Sequence, residues 1–163
     1  DWEGVGEADA SLRDFVRQVI ALRREHRVFH RRRFFHGGKV SEEAPTKDIL
    51  WLRPDGAEMT EAQWQDPEAR SLAFLASGAA GGYHLTSAGE QEEDDSFMLI
   101  LNGGDTPVEY ALPDGGNLGT PTRLVDTARE PPGPDGEEAA ADPCSVAPRS
   151  LVLVRFHAAT DGP

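Results

Sequence analysis

FMLILNGGDTPVEYAL, residues 97–112, reads as two strands and a turn. Phe97 to Leu101 is the most apolar run in the chain, and Val108, Tyr110 and Leu112 alternate with Glu109 and Ala111. That alternation has the period of a strand with one buried face. Between the two runs, Asn102-Gly103-Gly104-Asp105 is turn chemistry. The stretch predicts an antiparallel hairpin, and so an antiparallel β-domain.

Working outward, Ser150 to Phe156 (SLVLVRF) closes the same sheet, with Leu151, Leu153 and Arg155 on one face and Val152, Val154 and Phe156 on the other. Ser71 to Ala76 reads as a buried strand, Arg123 to Asp126 as a shorter one, and Arg31 to Phe35 as a basic, aromatic one with Phe34 or Phe35 inward. Asp48 to Arg53 is a further strand closed by Pro54-Asp55-Gly56, where proline sets φ and glycine accepts a positive φ. Thr60 with Gln63 forms a capping box, predicting one helical turn that offers Trp64 to the core. Gly78–Gly82 is too glycine-rich for regular structure, Glu90 to Asp95 reads as a solvated acidic loop, and Arg129 to Pro148 as a long mobile loop. With 12 prolines and 17 glycines the chain has more turns than a helical bundle tolerates. Many short strands between turn signals predict a mainly β fold, an antiparallel β-sandwich.

One segment departs from that pattern. In SLRDFVRQVIALRREH, from Ser11, the residues Leu12, Phe15, Val16, Val19, Ile20 and Leu22 share an arc of roughly 160° at about 100° per residue. An amphipathic helix is predicted from Ser11 to about Arg27, with Ser11 and Asp14 as its capping box. Arg23 and His26 fall inside the apolar arc, where an unpaired charge costs several kcal/mol. Arg23 therefore needs an acidic or carbonyl partner, and no segment near it in sequence supplies one; the alternative is that both residues snorkel at the edge of the stripe.

The formal net charge of −13 disfavours general attraction to nucleic acid or anionic membrane, even though Arg31-Arg32-Arg33 adjoins Phe34 and Phe35. A blander reading pairs those arginines with the chain's own acids. The single cysteine, Cys144, allows no internal disulfide, and no apolar run approaches the ~18 residues of a membrane span, so a soluble cytoplasmic protein is expected.

The five histidines show no HExxH-type spacing, and His26 and His30, four apart, supply only two ligands, so no metal and no cofactor is expected. Gly78–Gly82 is neither a dinucleotide fingerprint nor a phosphate loop. Asp94 and Asp95 lie in a polar run without an apolar pocket to raise a carboxyl pKa, and no serine sits in a nucleophile elbow. The residues describe an accessory domain with no catalytic constellation.

The succession LRDFVRQVIALRREH, RRRFFHGG, DILWLRPDGAEMTEAQW, DDSFMLILNGG with PVEYALP, and RSLVLVRF resembles the C-terminal end of bacterial glycogen-debranching enzymes of the isoamylase type. The block from Asp48 to Trp64 is the most specific, and Arg27 departs from the proline usual after the histidine. The resemblance implies that residues 1–30 end a catalytic (β/α)8 barrel, whose last helix is the amphipathic one, and that 31–163 form the C-terminal sandwich. It implies a parent that hydrolyses α-1,6 branch linkages of glycogen by a retaining two-carboxylate mechanism. The catalytic carboxylates of the family lie upstream, so no catalytic residue is expected here and the isolated chain should be inactive. Its partners would be the upstream barrel and, through the parent, α-glucan. Phe15, Val19, Leu22, Arg23 and His26 become the residues that dock onto the barrel, and Trp2 the one candidate for substrate contact. Two alternatives remain: a carbohydrate-binding accessory module stacking Trp51, Trp64 or Trp2 on glucose rings, and the same segment of a trehalose-releasing α-glucan hydrolase.

Overall fold

The computed structural model describes residues 6–31, 34–39, 47–78, 94–113, 118–129 and 138–158. Helix α1 (Glu7–Glu25) is followed by a 3-10 turn (Arg27–His30), then by β1 (Ile49–Leu52), the single turn α2 (Glu61–Trp64), β2 (Ser71–Ala76) and β3 (Ser96–Asn102). Next come β4 (Val108–Tyr110), β5 (Leu118–Asp126), β6 (Glu138–Ala139), β7 (Cys144–Val146) and β8 (Ser150–Ala158).

Six strands form one antiparallel sheet in the order β1-β2-β3-β8-β5-β6, and β4 pairs with β7 in a second, two-stranded sheet. The fold is a mainly β antiparallel sandwich preceded by a helix. The core between the sheets takes Leu75, Met98, Ile100, Val152 and Val154 from the large sheet, and Tyr110, Cys144 and Val146 from the small one. Each of these large side chains stabilises the fold by about 1.5–3 kcal/mol on full burial. Tyr110 keeps its polar end satisfied there, donating from its hydroxyl to Ser71 Oγ at 3.1 Å.

The predicted hairpin does not form. β3 pairs with β2 and β8, whereas β4 leaves for the other sheet and pairs with β7. Asn102 makes the departure possible: its side-chain amide donates to the carbonyls of Thr106, Val146 and Ala147, and its Oδ1 accepts from Gly104 N. The connector therefore satisfies its polar groups while crossing between layers, and the partner of β4 comes from the Arg129–Pro148 segment read as loop. After β1, Arg53 N donates to Ala57 O and Gly56 N to Arg53 O, with Gly56 at φ +79°, as the Pro-Asp-Gly signal requires.

Other boundaries moved as well. α1 begins at Glu7, four residues before the expected cap, and the helix runs on through Ser11. Ser11 is thus helix interior, and Asp14 pairs with Arg17 at 3.1 Å. Arg31 to Phe35 is not a strand among its described residues: Phe35 turns inward beneath Arg31, whose guanidinium lies 4.3 Å from the ring centre, and Phe34 is 89% exposed. Gln63 Oε1 does accept from Thr60 N at 2.8 Å, yet Trp64 stays 47% exposed, lying edge-on to Trp51. The short helix ends before its tryptophan reaches the core.

Candidate docking surface

Strand alternation gives the large sheet a second face. Opposed in register across it are Trp51, Phe74, Leu99 and Leu153, then Leu72, Leu101 and Leu151, with Val125 beside Leu153. Part of this face is covered by the residues after α1. Val28 packs with Phe97, Ala76 and Leu153, and Phe29 stacks on Phe97 at 4.6 Å.

Two carboxylates hold that cover in place. Asp94 Oδ1 lies 2.9 Å from His26 Nδ1, and Asp94 Oδ2 accepts from Val28 N at 3.0 Å. A carboxylate only accepts, so Nδ1 carries the hydrogen. Burial alone would raise the Asp94 pKa; the hydrogen bonds from His26, Val28 N and Asp95 N together hold it below the usual carboxylate value. Asp48, 1% exposed, accepts from His36 N and Gly37 N at 2.9 Å each, with Arg31 at 3.8 Å. Asp95, next to Asp94 in sequence, lies 3.7 Å from Arg155 and 3.8 Å from His157. The acidic residues read as solvated are therefore structural at Asp94 and Asp95.

Further along α1 the cover stops. Helix and sheet diverge around a groove of about 520 Å³, with Phe15, Val19, Leu22 and Arg23 on one wall and Phe74, Leu99, Val125, Leu151 and Leu153 among the sheet residues opposite. Next to it Leu12, Val16 and Ile20 are 62%, 45% and 46% exposed, and Leu101 on the sheet 37%. Together the helix stripe and the sheet face form an exposed apolar surface.

Four of the five helix residues singled out from the sequence thus lie together along the groove. His26 does not: it is 6% exposed and finds a partner within the chain at Asp94. It lies beyond the last turn of α1, where the helical projection no longer applies. Its Nε2 is buried without a hydrogen-bond partner among the described residues. Trp2 lies outside the described residues. The sheet half of the surface was missed, although β3 and β8 are apolar on both faces, which is the sequence signal of a sheet covered on both sides.

Among the described residues the groove's lining holds no carboxylate, cysteine or histidine, and no group of three potential metal ligands occurs. No described helix is long and apolar enough to cross a membrane. The surface is apolar in chemistry, with Arg23 and Thr127 its polar members along the groove.

The fold and the groove together define an antiparallel β-sandwich domain with an apolar face beside its N-terminal helix. The chain belongs to the family described as isoamylase, C-terminal, whose model matches residues 48–151. It is 38% identical over 159 residues to a glycogen operon protein GlgX homolog of Mycobacterium bovis, and equally to those of two Mycobacterium tuberculosis strains. Each match covers 95% of this chain and 21% of the relative, so the chain spans about a fifth of the length of the curated relatives it matches.

Proposed function

We propose that this chain is the C-terminal segment of a cytoplasmic glycogen-debranching glycoside hydrolase, which cleaves α-1,6 branch linkages, and that the segment itself braces the catalytic barrel. On this reading residues 1–30 end the barrel, α1 is its last helix, and residues 31–163 form the sandwich. The upstream barrel is the partner of the seam, α-glucan is met through the parent, and catalysis belongs wholly to upstream carboxylates.

The observation that carries the reading is the groove with its flanking apolar helix stripe, whose surface needs a large apolar partner. Membership of the isoamylase C-terminal family and likeness to glycogen operon proteins name the kind of parent. Trehalose-releasing hydrolysis differs only in the barrel, where specificity resides.

The test is an assay of linear-chain release from glycogen by the full polypeptide and by the 163-residue chain. Activity in the first alone supports the reading; debranching by the 163-residue chain overturns it. A second reading, glucan contact at Trp64, is favoured by the 47% exposure of that side chain, and quenching of its fluorescence by maltooligosaccharide would establish it.

A further inference from the structure

The groove's lining restricts what fills it. Apart from Arg23 and Thr127 every lining residue is apolar. A sugar entering it would leave its hydroxyls without partners, at a cost of about 1–3 kcal/mol each. Small-molecule sites orient their ligands with several convergent polar groups, which this groove lacks. Its apolar character continues onto Val16, Ile20 and Leu12 of α1, over an area that suits a polypeptide surface.

Arg23 supplies the second constraint. It stands on the helix wall among Phe15, Val19 and Leu22, and no described ion pair or hydrogen bond engages it. When this surface is covered, the guanidinium leaves water and requires an acceptor; an unpaired charge there would oppose docking. Among the described acids, Asp14 pairs with Arg17, Asp94 with His26 and Asp95 with Arg155.

We infer that the groove receives one apolar segment of the parent polypeptide upstream of this chain, and that this segment carries an Asp or Glu side chain which pairs with Arg23 and sets the register of docking. The inference rests on the reading above that the chain closes a larger enzyme, and it deepens that reading by stating the chemistry of the occupant. The occupant's source rests on that same reading, and the relatives, nearly four-fifths of whose length lies outside the match, have the chain length to supply it. Apolar side chains supply the affinity, and the Arg23 pair rejects misaligned packings, since an apolar seam tolerates sliding while a desolvated charge does not.

The experiment compares the full polypeptide with its Arg23→Ala, Arg23→Lys and Val19→Asp variants, using carboxyl footprinting and amide hydrogen exchange. Arg23 and Val19 are exposed in the chain, and thermal melts of the 163-residue forms check that it still folds. The expected result is an upstream Asp or Glu that labels at least about tenfold faster in Arg23→Ala than in the unaltered protein, with Lys restoring part of the protection. Exchange of α1 should be slower in the full polypeptide than in the 163-residue chain, and Val19→Asp should remove that difference. The inference is overturned if no upstream carboxylate changes its labelling, if α1 exchanges equally in both lengths of chain, or if its protection vanishes on dilution, which would make a second copy the occupant. A protected carboxylate in a polypeptide that does not debranch glycogen would remove the enzymatic reading and leave the docking pair standing.

Discussion

His26 and Asp94 are 68 positions apart in sequence, yet Nδ1 of one lies 2.9 Å from Oδ1 of the other. The contact closes the end of α1 onto the entry to β3. Asp94 also receives Val28 N, so one carboxylate orients both the imidazole and the 3-10 turn. Replacing Asp94 by Ala should destabilise the chain by about 1–3 kcal/mol, the cost of leaving buried donors without a partner. Urea midpoints would measure it.

The same carboxylate makes a pH prediction. Its folded pKa is depressed, so its contribution is present in full above the unfolded value of about 3.9 and is lost as pH falls below that value through the lower, folded one. Stability curves against pH should therefore show a shallower acid limb for Asp94→Asn than for the unaltered chain below about pH 4. Parallel limbs would contradict this.

Gly78 meets the same turn from the other side. A Cβ there would overlap the backbone carbonyls of Asp94 and Asp95, neither of which is a flexible side-chain end. Gly78→Ala should cost about 1–3 kcal/mol or more by displacing Asp94, and the downfield histidine resonance of His26 should shift with it. An unchanged melting temperature would show that the turn yields freely.

Asp48 plays for residues 36–37 the part Asp94 plays for residue 28. Asp48→Ala should destabilise the chain by about 1.5–3 kcal/mol for its charge-assisted hydrogen bonds, and expose His36 and Gly37 amides to rapid hydrogen exchange. Protection that survives at those amides would place their restraint elsewhere.

The uncovered seam predicts self-association of the isolated chain. Leu101→Lys with Ile20→Lys, both at exposed positions, should change folding stability by no more than about 0.5 kcal/mol apiece while lowering the sedimentation mass at high concentration and reducing binding of an apolar dye. Equal masses for both forms would argue against an accessible seam.

Strand by strand, the sequence was most readable where periodicity and turn chemistry agree. Ile49–Leu52 with its Pro-Asp-Gly turn, Ser71–Ala76 and the two faces of Ser150–Phe156 fall where alternation places them. The pairing of Phe97–Leu101 with Val108–Leu112 failed because a turn signal states that the chain reverses and says nothing about which strand it then joins. Cys144–Val146 was hidden inside a Pro- and Gly-rich segment because three residues are too few to show a period.

The docking surface divides in the same way. Phe15, Val19, Leu22 and Arg23 were legible because a helix carries its own geometry, and spacing alone puts them on one face. By itself the sequence determined the amphipathic helix, the β class of the remainder and the likeness to debranching enzymes, all of which depend on neighbours within a few residues or on recurring local blocks. Only the tertiary structure decided that the outer sheet face opposes the helix, that Asp94 claims His26, and that Arg23 is left beside an open groove. Those relationships join residues tens of positions apart, and long-range packing free energy selects them among many pairings that local preferences leave nearly equal.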